Sequence, residues 1–234
     1  MNLSLLEDDP NIIAVVLFGS QARDDSDDYS DKDIFVLCSC TGLAEILKIK
    51  RHCSDLCTGF SLGFCCYRRV DVEAMARTGS LFIWHLKLQG KIVFSKGHIF
   101  EDILDNLQPY RKYKTDLSYY REMLADVAES LDRRSVLSEF DMSILFTIAR
   151  NTCILLCHSL GNPKFGRSNA YLYAQSVYKD AFPLDEWIYP YLCSQKLLYE
   201  RAIDTNRDQV DNRSHRRIID QIESLLGLAQ TKCI

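Results

Sequence analysis

The sequence predicts an α/β domain followed by an all-α helical bundle, and three features of its 234 residues carry this prediction. Apolar, β-branched runs alternate with helical patterns in the first part of the chain. Strand patterns stop near Leu107–Pro109, and only helical spacing follows. The long helical segments are separated by short polar loops, which is typical of up-down bundles. We therefore expect two domains, residues 1–107 and 108–234.

The first part of the chain contains two clear strands. Ile12–Phe18 and Asp33–Cys38 are continuous apolar runs, which suit strands buried on both faces. We also expect helices over residues 43–52 and 81–88 and a short strand at Ile92–Phe94. A third strand lies within residues 60–74, and two alternatives are open for it. It either continues through Val70–Asp71–Val72, or it ends at Tyr67 and a helix covers residues 70–76.

The second part of the chain shows only helical spacing. The predicted helices are Lys114–Arg133, Ser138–Leu160, Asn169–Lys179, Leu184–Ile203 and Asp208–Ala229. The most apolar stretch, Ile144–Leu160, is interrupted by Arg150 and Asn151. It falls short of the roughly 18–20 uninterrupted apolar residues that a membrane span needs, so we expect no membrane association.

The composition limits the class of protein. Hydrophobic residues make up 47% of the chain and charged residues 26%, which is ordinary globular usage and excludes disorder. The net charge of −4 argues against non-specific coating of nucleic acid. The start of the chain lacks the basic and apolar regions of a secretory signal, and the ten cysteines form no C-x-x-C pair. We therefore expect a cytoplasmic protein with reduced, mostly buried thiols.

The chemistry is concentrated between the two apolar strands. Gly19 and Ser20 follow the first strand, where a glycine backbone and a hydroxyl donor suit a phosphate. Asp31 and Asp33 lie two residues apart at the start of the second strand, so both side chains point to one face. Paired carboxylates bind hard divalent cations such as Mg²⁺ through oxygen. A phosphate cradle beside a metal-binding pair is the arrangement that nucleotidyl transfer requires.

These residues resemble the signature of the polymerase-beta-like nucleotidyltransferase superfamily: Gly-Ser, a loop, then Asp-x-Asp and apolar strand residues. The Gly-Ser-x-Ala-Arg form is most similar to minimal nucleotidyltransferases and antibiotic adenylyltransferases. The resemblance covers about the first 100 residues and implies a mixed sheet. It also implies two Mg²⁺ ions held by Asp31 and Asp33, with Mn²⁺ able to substitute, and a nucleoside triphosphate, ATP or dATP, held at Gly19 and Ser20.

The resemblance further implies a third carboxylate on the next strand, which assists one metal and deprotonates the acceptor. Asp71 is the candidate if the third strand continues through it; otherwise this carboxylate is absent or comes from elsewhere. The helical half resembles the HEPN bundle that accompanies some relatives. The family's ribonuclease motif places four to six residues between Arg and His, whereas seven separate Arg150 from His158. We therefore do not expect ribonuclease activity.

The loop of residues 161–168 carries Lys164 and Arg167 among two glycines and a proline. It is either a loop that closes over the triphosphate or an ordinary interhelical turn, and Arg150 either pairs with an acid or faces phosphate.

The expected reaction is transfer of a nucleoside monophosphate to a hydroxyl of a partner protein, an RNA or a growing oligonucleotide, in a toxin-antitoxin or anti-phage defence system. Alternatives are an aminoglycoside-type adenylyltransferase and a catalytically inactive nucleotide-binding module. A homo-oligomer or a complex with a partner protein is compatible with each.

Overall fold

The computed structural model describes residues 3–19, 32–57, 62–200 and 212–234. The chain divides into two compact units, Met1–Arg111 and Lys112–Ile234. The described part of the first unit contains four strands, β1 (Ile12–Phe18), β2 (Lys32–Cys38), β3 (Leu62–Arg68) and β4 (Lys91–Ser95). Its helices are α1 (Leu43–Leu56), α2 (Arg69–Arg77), α3 (Leu81–Gln89) and α4 (Ile99–Asp105). The short helix α4 has no counterpart among the predicted elements.

The four strands form one mixed sheet in the order β3-β2-β1-β4. Strand β1 is antiparallel to β2 and to β4, whereas β2 and β3 run parallel. The two continuous apolar runs therefore occupy the centre of the sheet, where both faces of a strand are covered. The edge strands β3 and β4 are only partly buried. The mixed α/β sheet predicted for this half of the chain is confirmed.

The two faces of the sheet pack against different helices. On one face, Phe35 and Leu37 of β2 join a cluster with Ile83 of α3 and Phe100 of α4. Phe82 also packs here, with its ring centroid 5.7 Å from that of Phe18. On the other face, the alternate β2 residues Ile34, Val36 and Cys38 pack with Ile49 and Cys53 of α1. Because side chains alternate along a strand, one strand supplies both cores.

The second unit is a bundle of five helices within the described residues. They are α5 (Tyr113–Arg134), α6 (Glu139–Ser159), α7 (Asn169–Tyr178), α8 (Ile188–Glu200) and α9 (Asn212–Cys233). Helix α6 packs against each of the other four. Its first turn is closed by a capping box in which Ser138 accepts from the Asp141 backbone N–H and Asp141 accepts from that of Ser138. Helix α8 begins four residues later than predicted, because Leu184 lies in the bend before it. Residues 201–203 of the predicted helix lie outside the described residues.

Helix α6 is also the only described helix whose length and apolar composition would allow it to cross a membrane. However, 72% of its most apolar window is buried inside the bundle. Bundle cores use helices of this kind, since a helix surrounded by others is apolar on all sides. The pattern is weak evidence for a membrane span.

Candidate active site

The site begins where β1 and β2 meet side by side. In the antiparallel register Phe18 of β1 pairs with Asp33 of β2, so Gly19, the next residue of the chain, lies beside the Asp33 carboxylate. Gly19 has a φ of 76°, a conformation that side-chain-bearing residues rarely adopt. A Cβ at this position would lie 2.8 Å from Asp33 Oδ2. Glycine at the end of β1 is therefore required by the backbone and by the close carboxylate.

Two predicted site residues cannot be placed. Ser20 and Asp31 lie outside the described residues, and the pairing of Asp31 with Asp33 on one face stays a prediction. The described part of the site is thus Gly19 and Asp33, which lie next to each other. Their binding roles stay predictions. Within the described ranges no three acidic, histidine or cysteine side chains are grouped so that they could hold a metal ion.

The donor chemistry at Asp33 fits Mg²⁺. Its carboxylate offers two hard oxygen atoms at the start of β2, and Gly19 and Gly63, which border these oxygens, have no side chains. Mg²⁺ is usually bound by one or two carboxylates together with substrate phosphates. Asp33, with Asp31 as predicted, would hold the metal. When bound, Mg²⁺ would neutralise charge on the triphosphate.

The structure decides between the two alternatives for the third strand. Strand β3 ends at Arg68, and Asp71 lies in the first turn of α2. The strand drawn through Val70–Asp71–Val72 is therefore wrong. Asp71 accepts hydrogen bonds of 2.7 Å from Nε and from a terminal nitrogen of Arg68, and these bonds hold the pKa of Asp71 below its usual value. A carboxylate with a lowered pKa is a weaker base, and Asp71 does not project from the strand that borders Asp33.

β3 itself offers no residue that could act as the third carboxylate. The sequence from Thr58 to Val70 contains no Asp or Glu. The residue of β3 that pairs with Asp33 in the parallel register is Gly63. The third carboxylate that the resemblance implies is therefore absent from β3. The sequence alone could not show this, because it allowed two alternatives for where the third strand ends.

The opposite face of the sheet carries thiols. All ten cysteines are free, and five of them are buried while the other five are partly buried. Cys38 of β2 and Cys53 of α1 are fully buried, and both thiols interact with the Cys66 thiol of β3. This sharing lowers the pKa of Cys66, and together with burial it raises the pKa of Cys38 and Cys53. Because strand residues alternate in direction, Cys66 lies on the face of β3 away from Asp33.

The predicted nucleotide-binding residues of the second unit lie between α6 and α7. Lys164 is partly buried, with Nζ 5.8 Å from the centroid of the Tyr173 ring. The Arg167 side chain is exposed, whereas its backbone carbonyl accepts a hydrogen bond from the Tyr189 hydroxyl. Their contact with a triphosphate stays a prediction.

Arg150 on α6 has a clear structural partner in the same loop. One terminal nitrogen donates to the Phe165 carbonyl oxygen at 2.6 Å, and the other donates to Asn151 Oδ1 at 3.3 Å. His158, near the end of α6, bonds through Nδ1 to the Tyr113 hydroxyl at 2.5 Å. Burial lowers the pKa of His158. Arg150 and His158, whose spacing does not match the ribonuclease motif, thus bond to different partners: Arg150 to a loop carbonyl and His158 to a tyrosine.

Comparison with known proteins gives one family match and two distantly similar structures. Residues 3–99 match the family model described as polymerase beta, nucleotidyltransferase. No curated protein matches the chain. Among solved structures, a nucleotidyltransferase-like protein from Exiguobacterium sibiricum 255-15 is 12% identical, with 98% of this chain and 73% of that chain covered and a TM-score of 0.39.

A second structure, described as a mutant of the toxin-antitoxin MntA-HpeT, is 16% identical, with 55% of this chain and 89% of that chain covered and a TM-score of 0.31. At these identities and scores neither structure is evidence for a substrate or a partner of this chain. The family assignment depends on the matched residues and on the mixed sheet that carries Gly19 and Asp33. The family model thus identifies a nucleotidyltransferase domain of the polymerase beta type at residues 3–99.

Proposed function

We propose that the chain is a Mg²⁺-dependent nucleotidyltransferase that moves a nucleoside monophosphate from a nucleoside triphosphate, ATP or dATP, to a hydroxyl acceptor. The observation that carries the proposal is the Asp33 carboxylate at the start of β2, directly beside Gly19 at the end of β1. A carboxylate metal ligand next to a glycine that lets phosphate approach the backbone suits a bound metal–triphosphate. Asp31 and Ser20 would complete this arrangement.

The proposed reaction is an in-line displacement. The acceptor oxygen forms a bond to the α-phosphorus, and the bond from that phosphorus to the oxygen bridging to the β-phosphorus breaks. Pyrophosphate leaves, and the hydroxyl proton passes to a base. Bound Mg²⁺ would stabilise the charge that develops on the phosphate oxygens. Asp33 would fix the position of the triphosphate, so catalysis is mainly positioning and electrostatic stabilisation.

The acceptor is a hydroxyl of a partner protein, an RNA or a growing oligonucleotide, which would suit a toxin-antitoxin or anti-phage defence system. An aminoglycoside-type small molecule is the alternative acceptor. A second candidate function is a nucleotide-binding module without transfer activity. The lack of a carboxylate on β3 and the engagement of Asp71 with Arg68 favour this second candidate.

One experiment separates these functions. The protein is incubated with each α-labelled nucleoside triphosphate and Mg²⁺ or Mn²⁺, with and without cell extract, and both pyrophosphate release and transfer of label are measured. Extract treated with ribonuclease or with protease identifies the class of acceptor, and a set of aminoglycosides tests the small-molecule alternative. Asp33→Asn is the matched control.

The outcomes differ between the candidates. Label transfer that requires Asp33 supports the nucleotidyltransferase. Triphosphate binding without pyrophosphate release under any condition favours the inactive module. A protein that neither binds triphosphate nor releases pyrophosphate contradicts both.

A further inference from the structure

Three cysteine thiols meet between helix α1 and the sheet, on the face that points away from Asp33. Cys38 of β2 and Cys53 of α1 are fully buried, whereas Cys66 of β3 is partly exposed and packs against the same core cluster. The thiols of Cys38 and Cys53 both interact with the Cys66 thiol. One partly exposed thiol thus contacts two buried ones, and the proposed transfer reaction uses none of the three.

Cys66 has the environment of a reactive thiol. The thiolate is the nucleophilic form of cysteine, and hydrogen-bond donors and nearby cations stabilise it. The two neighbouring thiols and the ammonium group of Lys50 lower the pKa of Cys66, although burial opposes them. In contrast, burial raises the pKa of Cys65, which packs against the core on the other face of β3. We therefore expect Cys66 to react with an oxidant before Cys65 does.

The sheet register distinguishes the two neighbours of Cys66. In the parallel pairing Cys66 lies opposite Val36, so Cys38 is a diagonal neighbour, two residues further along β2. Diagonal neighbours on paired strands have Cα atoms about 7–8 Å apart, whereas a disulfide bridges at most about 7 Å without backbone movement. Cys53 lies on a helix that packs over β3, so the strand spacing does not apply to it. The geometry therefore favours Cys53 as the disulfide partner of Cys66.

We infer that Cys66 and Cys53 form a reversible redox site, at which a peroxide converts the two thiols into a disulfide that links β3 to α1. The Cys66 thiolate attacks one oxygen of hydrogen peroxide, the O–O bond breaks, and the released hydroxide takes the proton that Cys66 lost. Cys66 is then a sulfenic acid. The Cys53 sulfur attacks the sulfenic sulfur, the S–O bond breaks, and the hydroxide leaves as water with the Cys53 proton. Two thiols are oxidised, and one peroxide is reduced to two waters. Exchange with a dithiol reductant restores the thiols.

The test oxidises the full-length protein with a small excess of hydrogen peroxide, digests it without reductant and maps its disulfides by mass spectrometry. We expect a Cys53–Cys66 disulfide that dithiothreitol removes. It should form at least about tenfold faster than any other thiol is modified, because the thiolate is the reacting form. Cys66→Ala should abolish it. In Cys53→Ala, dimedone should trap the sulfenic acid on Cys66. Cys65→Ala, which removes the adjacent thiol on the other face of β3, is the matched control and should form the disulfide at the wild-type rate.

The wild-type disulfide map decides the inference even if a variant folds poorly. Because Cys53 is fully buried, the melting curve of Cys53→Ala is measured before oxidation. A wild-type protein that keeps the Cys66 thiol in peroxide, a disulfide between Cys66 and Cys38, or a faster reaction at another cysteine would each overturn the inference. None of these measurements uses metal or triphosphate, so their result is independent of the proposed function.

Discussion

The strand-end site of the first unit and the loop of residues 161–168 in the second unit hold their predicted site residues in opposite ways. At the strand ends the side chain is held close to the sheet, because Asp33 pairs with β1 and β3 and Gly19 and Gly63 border its two carboxylate oxygens. In the loop the backbone is fixed, because the Phe165 and Arg167 carbonyls accept hydrogen bonds from Arg150 and Tyr189. The Arg167 side chain is exposed.

This difference predicts how strongly a substitution at each position should affect turnover, stability or ligand binding. A fixed carboxylate can hold a metal without rearranging, which is what preorganised electrostatic catalysis requires. An exposed side chain on a fixed loop must be ordered when it binds a ligand, and this costs rotamer entropy. We therefore expect large effects on turnover at the strand ends, effects on stability where the loop is attached, and modest effects on binding at the loop side chains.

The largest effect is expected for Asp33→Ala. Removal of a metal ligand should lower the rate of pyrophosphate release by about 10³-fold or more, the scale for loss of a main electrostatic contributor. Asp33 is only partly buried at a strand end, so the melting temperature should stay near that of the wild type. Asp55→Ala, which removes an exposed acid of α1, serves as control. Wild-type turnover in Asp33→Ala would contradict the proposed mechanism.

The second effect concerns stability. Arg150→Ala removes the guanidinium that donates to the Phe165 carbonyl and leaves this oxygen beside a buried side chain without that donor. We expect the free energy of unfolding in urea to fall by about 2–3 kcal/mol, the scale for a hydrogen bond from a charged group. Arg150→Lys, which keeps the charge and loses the planar fork, should recover part of this stability. An unchanged denaturation midpoint would show that Arg150 does not hold the loop.

A smaller effect is expected for Lys164→Ala and Arg167→Ala. If the loop contacts the triphosphate, each change should weaken triphosphate binding by about 1–3 kcal/mol, as for a charge-assisted hydrogen bond. Calorimetric titration measures the affinity, and melting curves verify the fold. Arg134→Ala, an exposed arginine at the end of α5, is the control for net charge. Wild-type affinity in both loop variants would identify the loop as an ordinary interhelical turn.

The sequence predicted the elements that depend on local pattern. Strand β1 lies where it was predicted, because a continuous apolar, β-branched run suits a strand that is covered on both faces. Helix α5 differs from its predicted range by one residue at each end. The pairing of Gly63 with Asp33 was not predicted, because it depends on the register between β2 and β3, which no local pattern contains.

The region around Asp71 shows why the sequence alone did not decide whether Asp71 lies on a strand or on a helix. Residues 69–73 alternate charged and apolar side chains, which suits a strand face, yet the same spacing suits a helix. In the structure this segment is helical, and two ion pairs reflect this: Arg68 pairs with Asp71, three residues away, and Arg69 pairs with Glu73, four residues away. Such separations bring side chains together on a helix but not on a strand. The choice depends on where β3 ends, which the local sequence does not fix.

The smallest effect is therefore expected for Asp71→Asn. Triphosphate affinity and turnover should stay within about twofold of the wild type, because Asp71 pairs with Arg68 on the surface of α2. Glu73→Gln, which breaks the neighbouring pair on the same helix, is the matched control.

The small gain in stability from the Asp71–Arg68 pair should be present above the ordinary pKa of an aspartate, about 3.9. Because folding lowers this pKa, the gain should disappear as the pH falls through the lowered value. Melting curves of both variants across this pH range measure it. A loss of turnover by about tenfold or more in Asp71→Asn, with triphosphate binding retained, would instead identify Asp71 as the base that β3 does not supply.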